Sequence, residues 1–108
     1  MLRVLFVCSQ NKLRSPTAEH VFASYPGIEC ASAGTNNDAE NPLTAELVDW
    51  AQVIVVMEKQ HRTKVSTRFR KRLAGKRVVC LDLRDDYAFM QVELVGLLEA
   101  RAARFLSG

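Results

Sequence analysis

Short apolar runs alternate with longer amphipathic stretches along this chain of 108 residues. The runs are rich in β-branched residues, as buried strands are, whereas the stretches between them place apolar residues at helical spacing. Strands are predicted at residues 2–7, 28–33, 53–57 and 78–83, each followed by a helix. Strands separated by helices require right-handed crossovers and a parallel sheet covered on both faces. The pattern therefore predicts one α/β domain over residues 1–108, doubly wound, with a four-stranded parallel sheet flanked by helices.

Helix starts are predicted where a polar residue precedes a proline. Ser15-Pro16 is predicted to begin the first helix and Asn41-Pro42 the second. The second helix is expected to bury one face, formed by Leu43, Leu47, Trp50 and Ala51. The third helix is expected from Glu58 to about Phe69, and the last one over residues 92–105.

The composition limits where such a chain works and what it binds. No apolar run approaches the roughly 18 residues of a membrane span, so no membrane partner is expected. The apolar stretch over residues 1–7 is too short for a secretory signal, so none is expected. The chain has three cysteines, Cys8, Cys30 and Cys80. An odd number of widely spaced cysteines is typical of free thiols in a reducing compartment. We therefore expect a cytoplasmic protein, and its net charge of +3 favours an anionic ligand.

No cofactor or metal is expected. His20 and His61 have no metal-ligand spacing with cysteine or carboxylate, and the five glycines are scattered rather than gathered in a nucleotide-binding loop. The sequence leaves the oligomeric state open.

The stretch that carries chemistry is Cys8-Ser9-Gln10-Asn11-Lys12-Leu13-Arg14, which follows the first strand. A tight loop there would turn successive backbone N–H groups inward and form an anion-binding nest, reinforced by the positive end of the next helix. Arg14 supplies a planar fork that matches two phosphate oxygens. Because the same field stabilises a thiolate, the arrangement indicates covalent catalysis in which Cys8 attacks phosphorus. The alternative is that Cys8 is a small core residue, as a lone cysteine at a strand end usually is.

Several segments resemble the low-molecular-weight protein tyrosine phosphatase family. They are Val4 to Cys8, Asn11, Arg14-Ser15-Pro16 with Ala18-Glu19, Ser32 to Thr35, and Ala51 to Glu58, in the family's order along most of the chain. The resemblance implies a flavodoxin-like, phosphotyrosine phosphatase I-like fold. It also implies a phosphoric monoester hydrolase acting on a phosphorylated protein or a small aryl phosphate.

The resemblance also assigns roles to individual residues. Cys8 would be the nucleophile and Arg14 the phosphate clamp, with residues Ser9, Gln10, Asn11, Lys12, Leu13, Arg14 and Ser15 forming the substrate-binding loop. Ser15 would donate a hydrogen bond to the Cys8 sulfur, a role compatible with capping the helix. Asn11 would brace the loop, with Ser32 within its reach, or would serve as a turn residue that tolerates an unusual backbone angle.

A general acid is expected after the fourth strand, at the same edge of the sheet. An aryl ester leaves as a phenolate whose conjugate acid has a pKa of about 10, so a proton donor is useful at neutral pH. The family has an Asp-Pro pair there, followed by an aromatic residue. Asp85 matches the aspartate, Asp86 replaces the proline, and Tyr87 keeps the aromatic position beside the substrate. Asp85 is the expected acid, and Asp86 is the substitute if the loop is offset by one residue.

Some positions depart from the family pattern. Gln10 replaces a usual glycine, which raises the question of backbone strain, and Leu13 stands where many members carry a second cysteine. The segment from Gly34 to Val53 is shorter than in typical members, whose longer loop supplies an aromatic wall. Preference for phosphotyrosine is therefore less secure than phosphatase chemistry.

Two other functions stay open. An arsenate reductase shares this type of fold, but it would need a relay of thiols, and no cysteine follows Cys80. A non-catalytic domain that binds phosphorylated partners would need no nucleophile, whereas this chain keeps Cys8.

A basic segment lies near the third helix and the fourth strand. It consists of Arg62, Lys64, Arg68, Arg70, Lys71, Arg72, Lys76 and Arg77. Because no nucleic-acid motif accompanies these charges, a solvated helix face is expected and no nucleic-acid partner. Docking of an acidic phosphoprotein is the alternative.

Overall fold

The secondary structure follows the predicted alternation of strands and helices. A computed structural model describes residues 1–106, except for the side chains of residues 103 and 104. Its elements are β1 (Leu2–Cys8), α1 (Arg14–Phe22), β2 (Ile28–Gly34), α2 (Ala45–Trp50), β3 (Val53–Val56), α3 (Lys59–Phe69), a 3-10 turn (Arg70–Arg72), β4 (Arg77–Cys80) and α4 (Val92–Leu106).

The strands form one parallel sheet in the order β2-β1-β3-β4, which confirms the predicted fold class. The chain leaves β1 towards β2 on one side and then crosses back to β3 on the other. The strand order thus reverses at β1, and ligands of open α/β sheets bind beyond the carboxyl end of such a strand. Cys8 is the last residue of β1.

Both faces of the sheet are covered. The alternation of side chains along β1 sends Val4, Phe6 and Cys8 into one core and Leu5 and Val7 into the other. The first core is closed by α1 and α4, where the rings of Phe6 and Phe22 stack with centroids 5.7 Å apart. The second core includes Val48 of α2 and Val65 of α3. No helix within residues 1–106 has the length and apolar character needed to cross a membrane.

Both predicted helix starts are wrong. The first helix begins at Arg14 with Leu13 as its N-cap, and the Ser15 hydroxyl makes tertiary contacts instead of a cap. Pro16 is tolerated inside the helix because the first four N–H groups have no intrahelical partner. The second helix begins at Ala45, where Thr44 Oγ1 accepts a hydrogen bond from the Leu47 amide at 3.2 Å.

Two further expectations need correction. Strand β4 ends at Cys80 rather than Leu83, because Asp82 takes a left-handed backbone conformation with φ 56°. Trp50 is half-buried, and Val48 is the fully buried residue of α2.

Candidate active site

The loop after Cys8 is held from behind by the loop that follows β2. Carbonyl oxygens of residues 8–10 accept three hydrogen bonds: from the Thr35 amide to Cys8 at 2.9 Å, from Asn36 to Ser9 at 3.0 Å and from Glu40 to Gln10 at 2.9 Å. In a trans peptide the N–H points opposite to the preceding carbonyl. The amides of residues 9–11 therefore point away from that loop. The Asn11 amide lies 3.3 Å from Cys8 Sγ, as expected of an anion-binding nest.

The Cys8 sulfur is buried, with 3% of the residue exposed, and it contacts a hydroxyl. Ser15 Oγ lies 3.0 Å from Cys8 Sγ and accepts a hydrogen bond from Asn11 Nδ2 at 2.9 Å. Since a thiolate can only accept, the Ser15 hydroxyl is the donor when Cys8 is ionised.

Asn11 combines both interpretations that the sequence left open. It adopts a left-handed backbone conformation with φ 57°, and its side chain braces the loop through Ser15. The expected hydrogen bond between Asn11 and Ser32 is not found within residues 1–106: Asn11 Nδ2 donates to Ser15, and the Ser32 hydroxyl donates to Glu19.

Arg14 is oriented by two acceptors on one of its nitrogens. Its Nη1 donates to Glu58 Oε2 at 2.6 Å and to the Leu83 carbonyl at 2.7 Å, and only 3% of the residue is exposed. Within residues 1–106, Nε and Nη2 of Arg14 make no hydrogen bond. This pair of donors is the edge of a guanidinium that binds two phosphate oxygens at once.

Glu58 is the partner that holds Arg14. Burial raises the pKa of the Glu58 carboxyl, but the hydrogen bond and the positive charge of Arg14 outweigh burial and keep that pKa below its ordinary value. The carboxyl is therefore ionised at neutral pH and remains a partner for the guanidinium.

Asp85 faces the site from the loop between β4 and α4. Its Oδ1 lies 3.7 Å from Nε of Arg14. Both ends of this loop are anchored to α1, since Arg14 binds the Leu83 carbonyl and the Met90 amide donates to Thr17 Oγ1 at 3.0 Å. Asp86 pairs instead with Arg84 at 3.7 Å.

A cavity of about 130 Å³ opens between this loop and the anion-binding nest. It is lined by Cys8, Ser9, Gln10, Lys12, Leu13, Arg14 and Asp85. Asn11 and Ser15 lie behind the lining, in contact with Cys8. Asp86 and Tyr87 are not part of the lining, and Tyr87 is half-buried against the core on the α1 and α4 side.

Comparison with known proteins agrees with this geometry. Residues 3–50 match the family model described as low molecular weight phosphotyrosine protein phosphatase. That segment contains β1, the loop from Cys8 to Arg14, α1, β2 and α2. The resemblance to this phosphatase family is confirmed.

Solved structures extend the similarity in fold to the whole chain. Wzb of Vibrio vulnificus, solved with benzylphosphonate, has 22% identity and a TM-score of 0.81, covering 98% of this chain and 97% of its own. The YwlE arginine phosphatase of Geobacillus stearothermophilus has 22% identity and a TM-score of 0.78, covering 99% and 94%. The low molecular weight protein tyrosine phosphatase of Streptococcus pyogenes has 16% identity and a TM-score of 0.79, covering 99% and 92%. No curated protein matches the chain by sequence.

The structure accommodates the residues that depart from the phosphatase family pattern. Gln10 is not among the residues with positive φ, so the left-handed position of the loop is Asn11 and no backbone strain falls on Gln10. Leu13 is 37% exposed and lines the cavity. Trp50 does not line the cavity beside Cys8; it lines a second cavity together with Ala31 and Leu47.

Sequence reasoning missed the roles of Glu58 and His61. Glu58 follows the buried strand β3 at the same edge of the sheet as Cys8, and that position was the available signal. The imidazole of His61 is fully buried, and its Nε2 lies 2.8 Å from Ser9 Oγ. No residue type or spacing in the sequence indicates this contact.

The other cysteines lie apart from the cavity lining. Cys8, Cys30 and Cys80 are all free thiols. Burial, followed by the negative charge of Glu19, raises the pKa of Cys30 to about 11. Cys80 packs against the second core.

Within residues 1–106 no group of three or more His, Cys, Asp or Glu could hold a metal ion.

Proposed function

We propose that this protein is a cysteine-dependent phosphatase that hydrolyses phosphate monoesters through a Cys8 thiophosphate. The observation that carries the proposal is the placement of Cys8 Sγ at the base of an anion-binding loop, beside a hydroxyl and a buried arginine whose Nε and Nη2 make no hydrogen bond within residues 1–106. A small core cysteine would need none of these polar neighbours. The match of residues 3–50 to the phosphatase family supports the same conclusion.

In the first step the Cys8 thiolate attacks phosphorus and the bond from phosphorus to the ester oxygen breaks. The inward amides and the Nε and Nη2 edge of Arg14 bind the three other phosphoryl oxygens, where charge is held in the transition state. Asp85, protonated, gives its proton to the departing oxygen, so the product leaves as an alcohol or a phenol.

In the second step water attacks the phosphorus of the thiophosphate. The Asp85 carboxylate accepts a proton from that water, and the bond from sulfur to phosphorus breaks. Inorganic phosphate leaves and the thiolate is restored. The Ser15 hydroxyl donates to the departing sulfur and stabilises its negative charge.

Protein phosphotyrosine is the proposed substrate class, with a small aryl phosphate as the minimal substrate. Since the structural neighbours include an arginine phosphatase as well as a tyrosine phosphatase, phosphoarginine belongs in the substrate panel. A free thiol nucleophile suits a reducing compartment, so we place the protein in the cytoplasm.

The deciding experiment is hydrolysis of para-nitrophenyl phosphate by the reduced protein with no metal added, beside Cys8→Ser. We expect metal-independent activity that Cys8→Ser abolishes, because an alcohol in this site is a far weaker nucleophile than a thiolate. Cys30→Ser serves as a matched control and should retain activity, since Cys30 lies outside the cavity.

Two results would contradict the proposal. Equal activity of the parent and Cys8→Ser would exclude this nucleophile. No activity between about pH 5 and 8, with inorganic phosphate still bound, would favour a non-catalytic domain that recognises phosphorylated partners.

A further inference from the structure

Ser9 lines the phosphate cavity, and within residues 1–106 its hydroxyl has one hydrogen-bond partner. Ser9 follows the nucleophile directly, and its Oγ lies 2.8 Å from Nε2 of His61. Which of these two atoms donates decides what the hydroxyl can do in the cavity. If Ser9 donated to His61, its proton would point away from a bound phosphate.

The other nitrogen of the imidazole settles the direction of this hydrogen bond. His61 Nδ1 lies 3.0 Å from the Glu58 amide, which can only donate, so Nδ1 is an acceptor and carries no proton. A neutral imidazole must then carry its proton on Nε2. Burial, followed by the positive charge of Arg14, lowers the pKa of His61 to about 4, so the ring is neutral at pH 7.

His61 is therefore the donor and Ser9 Oγ the acceptor. This tautomer excludes a serine–histidine nucleophile, since an Nε2–H cannot remove a proton from Ser9. The hydroxyl proton of Ser9 remains, and within residues 1–106 no acceptor binds it. A hydroxyl that already accepts from His61 turns its proton away from the imidazole, and the cavity borders Ser9.

We propose that the Ser9 hydroxyl donates a hydrogen bond to an oxygen of the bound phosphoryl group, and that the Nε2–H of His61 holds it in that orientation. Ser9 then adds a side-chain donor to the amides and to Arg14, and His61 acts as a positioning residue. A neutral donor to a charged oxygen typically contributes about a tenfold effect on binding. The role of Ser9 in turnover rests on the proposed phosphatase reaction. Its role in binding phosphate does not, and can be tested separately.

The first experiment measures the affinity of the protein for inorganic phosphate by calorimetry at pH 7. We expect Ser9→Ala to weaken binding about tenfold and Ser9→Thr, which keeps a hydroxyl, to stay within about twofold of the parent. The matched control is Ser24→Ala, an exposed serine outside the cavity, which should leave the affinity unchanged. Unchanged affinity in Ser9→Ala, or equal losses in Ser9→Ala and Ser9→Thr, would overturn the proposal.

The positioning role of His61 has a spectroscopic signature. In the nitrogen-15 spectrum of the labelled protein at pH 7, with His61→Gln to assign the signals, the proton should be on Nε2. A proton on Nδ1 would overturn the proposed orientation. A parent that binds phosphate but hydrolyses nothing would contradict the proposed function alone, and a parent that binds none would contradict both.

Discussion

Asp85 and Asp86 are adjacent carboxylates whose side chains have the same exposure, 64% each, yet they face different cations. Asp85 approaches Arg14 at the cavity, whereas Asp86 approaches Arg84 on the outside of the loop. The two side chains therefore have the same charge and the same exposure to solvent, and they differ only in their position relative to the cavity. The two residues form a natural pair for assigning the general acid.

We expect Asp85→Asn to slow hydrolysis of phenyl phosphate by about 100-fold, because general acid catalysis contributes about that much to a poor leaving group. Para-nitrophenyl phosphate, with a better leaving group, should lose much less. Asp86→Asn should retain near-parent rates on both substrates. The kcat values of the three proteins on the two esters make the comparison, and equal losses of Asp85→Asn on both would exclude a proton-donor role.

The end of β2 supports the phosphate loop by close approach of two backbones. A Cβ added to Gly34 would lie 2.5 Å from the Ser9 carbonyl oxygen and 2.5 Å from the Ala39 Cβ. Ordinary contacts are about 3.5 Å or longer, so any side chain here displaces the loop. Gly34 also donates to the Asn41 carbonyl at 2.9 Å, which keeps the supporting loop in place.

Gly34→Ala is expected to lower the free energy of unfolding by about 1–3 kcal/mol, the usual cost of overpacking, and to reduce phosphate binding. The control is Gly96→Ala in α4, where an added Cβ meets nothing within 4 Å. That change should raise the unfolding free energy by up to about 1 kcal/mol, since alanine favours a helix. Urea unfolding and phosphate titration measure both effects, and a Gly34→Ala protein as stable as the parent would contradict the close approach.

At the scale of the whole molecule, one buried imidazole connects the phosphate loop, the start of α3 and the arginine. His61 contacts Ser9, accepts from the Glu58 amide and lies near the charge of Arg14. Burial is the main cause of its low pKa; Arg14 and Lys64 lower it further, and Glu58 and Asp85 oppose them. Protonation would remove the acceptor at Nδ1 and place an additional positive charge beside Arg14.

This imidazole makes the stability depend on pH. The pKa of His61 is about 4 in the folded protein and 6.5 in the unfolded chain, so the unfolded chain binds the proton more readily. Its contribution, roughly 3 kcal/mol, should be complete above pH 6.5 and lost as the pH falls towards 4. Urea unfolding across that range should show the decline, and His61→Gln should flatten it. An equally steep decline in His61→Gln would contradict the assignment.

Most side chains of the basic segment make hydrogen bonds within the fold. Within the part of the chain that the structure describes, five of its residues donate hydrogen bonds to other segments: Arg62, Arg68, Arg72, Lys76 and Arg77. For Arg72 the acceptor is the Asp49 carboxylate, so that hydrogen bond is at the same time an ion pair. This supports the interpretation as a helix and turn surface, and docking of an acidic phosphoprotein remains a proposal.

The sequence by itself determined the alternation of strands and helices, the parallel sheet and the loop from Cys8 to Arg14. These features depend on periodicity and on neighbours within one turn or one strand, which are visible in the order of residues. The helix starts were mispredicted because Ser15 and Asn41, suitable caps in isolation, have partners elsewhere: Cys8 for Ser15 and the Ser32 carbonyl for Asn41.

Only the tertiary structure decided which side chains meet at the site. Arg14 and Glu58 are 44 residues apart, and Ser9 and His61 are 52 apart. Their contacts follow from the crossover that places β3 beside β1 and from the residue register between these two strands. The same geometry brings Asp85 rather than Asp86 to Arg14. Long-range contacts of this kind depend on packing among all the elements, and no local pattern encodes them.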